Sequence, residues 1–272
     1  MIGASRTSMA ALREAVNARF DSTDAAALAA DGQSILSFAA LLGHERTLRQ
    51  TLADPAMAAG AKQGLLHRLL DGKVSTGAFD LIVEIVTKRW STDRDMVDAM
   101  DGAGQSLVLM SAEKDNRLDR VEEEIFRFGR IIDSNPDLQM ALTNPAVDEH
   151  KKSAITAALL EGKADALTVR LLQTATTELH GRPVQTAVSE LSALAAQRRG
   201  RVVAEVRSAT PLSAEQSERL RAALGRIHHR DVQLNVTVDP SLVGGLEVRV
   251  GDEVIDGTLS TRIEAARRRL TH

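Results

Sequence analysis

Val232-Gln-Leu-Asn-Val-Thr-Val238 runs into Asp239-Pro-Ser-Leu-Val-Gly-Gly-Leu-Glu-Val-Arg-Val250, then Gly251-Asp-Glu-Val-Ile-Asp256 and Gly257-Thr-Leu-Ser-Thr-Arg-Ile263. Val232, Leu234, Val236 and Val238 alternate with Gln233, Asn235 and Thr237, the period-two pattern of a half-buried strand. Pro240 turns the chain, and Leu246, Val248 and Val250 give a returning strand. Gly251-Asp252 is a tight-turn signal before a short strand, Glu253 to Asp256. Gly257 ends it, and Ser260 caps a last helix with Leu259, Ile263, Ala266 and Leu270 inward. The glycines do not form a phosphate loop: Gly244, Gly245 and Gly251 miss the G-x-G-x-x-G spacing, and no helix opens after them. They read as turn residues, with Gly244-Gly245 letting the chain turn or bulge.

Working outward, Val202, Ala204 and Val206 face one way and Glu205 and Arg207 the other, predicting a further strand closed by Pro211. Ser213 and Gln216 suit a capping box for a helix with Leu220, Leu224 and Ile227 inward. The order β-α-β-β-β-α predicts a small α+β domain, a helix covering one face of a mixed sheet.

The remainder of the 272 residues is alanine- and leucine-rich helix. Aromatics make up only 2%, so the core must be built from small aliphatic side chains, which suits closely packed helices. No cysteine is present, which excludes disulfides and thiolate metal sites. No apolar run approaches the ~20 residues of a membrane span, and the N-terminus lacks a signal-peptide core. Met9, Leu12, Val16 and Phe20 form an amphipathic opening helix. Asp31-Gly32, Gly43, Pro55 and Gly72 read as breaks, and Pro183 as a first helical residue. The pattern resuming near Arg94 reads as continuing into Ile132.

Self-similarity organises this region. Asp54-Pro55-Ala56 returns as Asn144-Pro145-Ala146, an offset of 90 residues. The same offset relates Lys62 to Lys152, and Leu69-Leu-Asp-Gly-Lys73 to Leu159-Leu-Glu-Gly-Lys163. It also relates Ile35, Phe38, Leu41 and Leu42 to Ile125, Phe128, Ile131 and Ile132. Apolar positions, breakers and lysines keep one register without a gap. The reading is two copies of one helical unit, 31–110 and 121–200, joined through a helix that Gly102 and Gly104 loosen. The fold class expected is mainly α: two related bundles, 1–116 and 117–200, followed by the α+β domain, 201–272.

Signals for chemistry are weak. His44-Glu45 starts like H-E-x-x-H, but Leu48 occupies the second histidine position, so His44 reads as a surface loop residue. Gly72-Lys73 lacks the Ser or Thr of a phosphate loop. Asp93, Asp95, Asp98 and Asp101 scatter around a helix and, with Glu122 to Glu124, read as solvated charge. His228-His229 suit a helix C-terminus. No nucleophile–base pair emerges, so no catalytic, cofactor or metal residues are expected.

Arg201-Val-Val-Ala-Glu-Val-Arg-Ser-Ala-Thr-Pro-Leu-Ser213 and the stretch from Val238 to Ile263 resemble the delta subunit of bacterial F-type ATP synthases, the family of the mitochondrial oligomycin-sensitivity-conferring protein. The family pattern of a Gly-Gly pair, Gly, Asp and a small hydroxyl residue is filled by Gly244-Gly245, Gly251, Asp256, Thr258 and Ser260, with Pro240 and Gly257 beside it. Lys151-Lys152 through Leu160 resembles the family's lysine-containing helix. The chain departs by carrying one additional helical copy, as lengthened actinobacterial forms do. The resemblance implies a non-catalytic part of the peripheral stalk, without cofactors. It implies contacts with N-terminal segments of alpha subunits, with b subunits and with further head subunits. It further implies the cytoplasmic face of the bacterial membrane, reached only through partners. The rival classes are an RNA-binding module and an unrelated soluble helical adaptor. The pI of about 6.2, the absent G-x-x-G clamp and the few aromatics oppose nucleic acid.

Overall fold

Asp24, Ser75, Thr92, Asp148 and Asp165 each accept a backbone N–H at a helix start, so local cap chemistry fixes several of the element boundaries. The computed structural model describes residues 4–200, 202–228, 232–242, 244–250 and 253–256. The chain divides into two compact units, Met1–Leu191 and Ser192–His272.

In the first unit, α1 (Ala4–Phe20) buries Leu12, Val16 and Phe20, as its spacing predicts. It is followed by α2 (Ala25–His44), α3 (Arg46–Ala53), α4 (Ala59–Leu70), α5 (Thr76–Thr87) and α6 (Asp93–Lys114). Then come α7 (Leu118–Asp133), α8 (Pro136–Thr143), α9 (Glu149–Leu160), α10 (Ala166–Thr177) and α11 (Val184–Arg198), within which the first unit ends at Leu191. Helices α3, α4 and α5 reappear as α8, α9 and α10 with both ends displaced by the same 90 residues. The correspondence extends to single bonds. Asp54 Oδ1 accepts from Ala56 N–H at 2.8 Å, and Asn144 Oδ1 from Ala146 N–H at 2.9 Å. Gly72 and Gly162 follow α4 and α9 with φ of 68° and 67°, the left-handed helix stop. Ile35, Phe38, Leu42, Leu52 and Leu81 are buried, and so are Ile125, Phe128, Ile132, Leu142 and Leu171.

The glycines of this region act differently from the sequence reading. Asp31-Gly32 does not break a helix; α2 runs through it. A Cβ on Gly32 would lie 2.8 Å from the Gly104 carbonyl oxygen and 2.8 Å from Val108 Cγ2. One on Gly104 would lie 2.7 Å from Leu36 Cγ and 3.0 Å from the Gly32 oxygen. Gly104 therefore lets α2 and α6 approach backbone to backbone, and loosens nothing. Helix α6 also packs on α1, α3 and α5 of the first copy and on α7 and α10 of the second, so one helix serves both.

Three further expectations are corrected. Helix α6 does not continue into α7: the chain breaks at Asp115–Arg117, where Asn116 takes φ 56°. Pro183 stands just before α11 and offers its carbonyl to Ala187 N–H. Helix α2, at 20 residues, is long and apolar enough to cross a membrane by length and composition. Its Leu28, Ile35, Ala39 and Leu42 nonetheless lie in the first-copy core with α5 and α6 residues, and its Asp31 is buried too. That pattern is a core helix packed on all but one side.

The second unit contains β1 (Val202–Ser208), α12 (Ala214–His228), β2 (Val232–Val238), β3 (Leu246–Val250) and β4 (Glu253–Asp256). The sheet order is β2-β1-β3-β4. Strands β1 and β2 pair in parallel across the α12 connection, and the other pairings are antiparallel, giving the mixed sheet expected. Ala204, Val206, Leu224, Val232, Leu234, Val248 and Val250 form its core. Ser213 and Gln216 make the reciprocal capping box, at 2.8 and 3.1 Å. Ile227, expected inward, is exposed: it lies a turn beyond Leu224, past the core residues α12 covers. The last helix expected over 259–270 lies outside the described residues.

Candidate interaction surfaces

The charged groups of the helical unit chiefly serve helix ends and helix contacts. Arg49 Nη1 donates to the Leu42 and Gly43 carbonyls, each at 2.9 Å, satisfying groups that the end of α2 leaves open. Its Nε donates to Asp93 Oδ2 at 2.8 Å, and this hydrogen bond holds the Asp93 carboxyl below the ordinary range. Lys62 Nζ reaches the Val86 carbonyl in the last turn of α5 at 2.9 Å. Burial pushes that ammonium below the usual lysine range, and Asp54 pulls partly the other way.

The acidic series on α6 is not a solvated face. Asp93 meets Arg49, Asp95 accepts from Ser5 Oγ at 2.7 Å, and Asp101 lies 2.9 Å from His180 Nε2. Burial pushes the Asp98 carboxyl up, with Arg182 and then His180 opposing. The four residues scatter around α6, as the spacing predicts, but other elements cover each direction. Glu122 is likewise buried, and Glu124 Oε2 accepts from Asp165 N–H and Thr168 Oγ1 at 2.8 and 2.6 Å, tying α7 to the start of α10. Only Glu123, paired with Arg127 one turn on, matches the expectation of surface charge.

The connection 178–183 between α10 and α11 joins the copies. His180 takes φ 51° and Gly181 φ 81°, and the side chains of His180 and its partner Asp101 are buried. A Cβ on Gly43 would lie 2.8 Å from His180 Cε1, so glycine at the end of α2 makes room for the ring. Arg182 then bridges Glu190 at 2.7 Å and Asp98 at 3.8 Å. Sequence reasoning missed this latch. The signal available was a break in the repeat: His180 stands where the first copy has Trp90, which instead donates Nε1 to the Ile85 carbonyl at 2.8 Å.

Apolar side chains left at the surface follow the duplication. Leu41 on α2 is 42% exposed and its equivalent Ile131 on α7 is 41% exposed, so both copies present the same apolar position. Met140 on α8 adds to the second copy's surface. In the α+β unit, Val254 and Ile255 are exposed on β4, which among the described residues is an edge strand of the sheet.

Of the motif residues of the α+β unit that are described, Pro240, Gly244 and Gly245 lie between β2 and β3, and Asp256 lies on β4. Pro240 is exposed, and Asp239 Oδ1 accepts from Ser241 N–H and Oγ at 2.9 and 2.6 Å. Ser241 first, then Arg207, hold the Asp239 carboxyl at about 2. Gly244 and Gly245 have φ of 144° and 88°. Asp256 pairs with Glu247 across β3 and β4. Gly251, Gly257 and Ser260 lie outside the described residues. Gly245→Val is expected to cost about 1–2 kcal/mol, because a β-branched side chain there meets its own backbone. Faster hydrogen exchange confined to β1 and β3 would be the readout.

Comparison with known proteins adds two findings. The family model for the ATP synthase delta (OSCP) subunit matches residues 105–270. The chain is 46% identical to ATP synthase subunit delta of Streptomyces coelicolor, covering 99% of this chain and 98% of that one. It is 42% identical to the Nocardia farcinica subunit, covering 99% and 100%, and 40% identical to that of Thermobifida fusca, covering 99% of both. These relatives share the full length, first copy included, whereas the family model begins inside α6.

Proposed function

Because the chain belongs to the ATP synthase delta (OSCP) subunit family, we propose that it ties alpha subunits of the catalytic head to the b subunits, at the cytoplasmic face of the bacterial membrane. It is a non-catalytic subunit of the peripheral stalk, and it binds other ATP synthase subunits. The observation that carries the finer reading is the extent of the family match, which joins the second helical copy to the α+β unit. Both modules are needed for a chain that holds two partners at once.

Rotation of the central stalk applies torque to the head, and a stator must resist it through contact alone. An amphipathic helix from an alpha N-terminus suits the second copy, whose α7 and α8 expose Ile131 and Met140. A b subunit end suits the α+β unit, where β4 is an edge strand among the described residues and exposes Val254 and Ile255. Linking the two modules raises effective concentration, so modest interfaces combine into a firm grip. The first copy, with the same apolar position at Leu41, extends this surface toward the head. We also propose that Pro240, Gly244, Gly245, Gly251, Asp256, Gly257 and Ser260 shape the α+β unit and touch no reacting group.

The test is reconstitution with photo-crosslinkers. Stripped membranes and purified head should regain ATP-driven proton pumping when the full chain is added. A crosslinker at Ile131 should capture an alpha subunit, and one at Val254 a b subunit. Restored pumping with the two captures exchanged, or with neither formed, would overturn the assignment of modules to partners.

A further inference from the structure

His44 closes α2 with its ring half exposed, and two glutamates converge on it from the second copy. Glu149 opens α9 and Glu178 follows α10. Glu149 Oε1 and Glu178 Oε2 each lie 3.5 Å from His44 Nε2, and all three atoms fall within 4.8 Å of one another. That spacing is too long for a good N–H···O hydrogen bond, which spans roughly 2.7–3.2 Å. It is close to the separation of neighbouring ligands around a tetrahedral ion with bonds of ~2.0–2.2 Å.

We propose that His44, Glu149 and Glu178 bind one divalent cation of the zinc class, with water as fourth ligand, and so staple the two helical copies together. The ligand set fits that class: one imidazole and two carboxylates suit zinc-like ions, whereas calcium and magnesium take oxygen alone. The site is partly prepared. Glu178 is 11% exposed and fixed at the end of α10, where its N–H bonds the Thr174 carbonyl at 2.9 Å. Glu149 and His44, each about half exposed, can close the remaining few tenths of an ångström. Like charge gathers there as well: burial first, then Glu149 and Asp101 beside it, hold the Glu178 carboxyl above its ordinary range, with His44 and His180 opposing. A bound cation relieves that repulsion. The second-copy ligands are non-local, which is why H-E-x-x-H spacing at His44 misses them. The inference stands apart from the stalk reading, since it concerns only how the copies are held.

Zinc chloride alone, titrated into the full metal-stripped chain against a chromophoric chelator, should show one saturable site at micromolar zinc. Melting should rise by several degrees with zinc. His44→Ala and Glu178→Gln should each weaken binding at least tenfold, while His150→Ala and the double variant His228→Ala/His229→Ala leave the one-site affinity unchanged. Cobalt should give the visible absorption of a four-coordinate site in the native chain and lose it in His44→Ala. Circular dichroism and Trp90 fluorescence of the variants check that they are folded. Should Glu178→Gln unfold, the exposed His44→Ala decides alone. Unchanged zinc affinity in a folded His44→Ala chain, or no saturation below millimolar zinc, would overturn the proposal.

Discussion

A chain carrying Gly32→Ala unfolds in urea with about 3 kcal/mol less stability than the native protein, at the upper end of the cost of overpacking a core. The added methyl meets the Gly104 carbonyl oxygen and Val108 Cγ2, both at 2.8 Å, and the first of these is backbone. A side chain could rotate away; a carbonyl in the middle of α6 can move only with its helix. Relief therefore requires α2 and α6 to separate, opening voids around Leu36, Ile35 and Leu107, which are at most 2% exposed. Gly64→Ala supplies the control. A Cβ there meets nothing within 4 Å, inside helix α4, so this change stabilises by about 0.5–1 kcal/mol through reduced freedom of the unfolded chain. The single tryptophan, Trp90, packs against the first-copy core, so its fluorescence reports this unit in the intact chain. Equal effects of the two substitutions would remove the close helix contact as an explanation.

Those two glycines mark where the sequence stops being readable. Composition treats every glycine in a helical pattern as a weak point, yet Gly64 faces open space and Gly32 faces a backbone. The difference depends on which helix lies across, which local spacing does not encode. Where the pattern is self-sufficient it is legible: the alternation from Val232 to Val238, the Ser213–Gln216 box, and the register shared by Phe38 and Phe128. The repeat was legible because both copies bury equivalent positions, so apolar matches recur together. Charges are illegible for the same reason as glycines. Asp95 and Asp101 look like surface residues until Ser5 and His180, distant in sequence, are brought against them. The surfaces offered to partners were legible only by family resemblance, since an exposed Leu41 or Ile131 differs from a buried neighbour by one helical step.

Sharing α6 between the copies has a mechanical consequence in the stator reading. Two bundles on a loose joint would flex under torque. A 22-residue helix packed on elements of both copies ties them through one shared element. The His180–Asp101 pair and the Arg182–Asp98 contact cross between the copies and resist their separation.

Arg49→Met should cost about 3 kcal/mol at neutral pH, because the Leu42 and Gly43 carbonyls lose a charged donor at ~1–3 kcal/mol each, while the ion pair with Asp93 is only part-buried. The side chain of Arg49 is 10% exposed, and three of its hydrogen bonds are lost together. Methionine fills similar volume but leaves the Leu42 and Gly43 carbonyls without their donor and Asp93 without its cation. Asp93→Asn should cost less, because the carbonyl bonds survive and an amide oxygen still accepts from Nε. The pH dependence separates the two roles. The Asp93 carboxyl is depressed in the folded chain, chiefly by its hydrogen bond from Arg49. Its contribution is therefore complete above the unfolded value near 3.8, and it is lost as pH falls through the lower folded value. Urea titrations of native and Asp93→Asn chains, followed by Trp90, should differ at neutral pH and converge as that carboxyl protonates. Arg49→Met should remain far less stable than both at every pH, since the α2 carbonyls do not titrate. A cost below about 1 kcal/mol, as exposed ion pairs show, would place Arg49 outside the core that holds α2, α3 and α6 together.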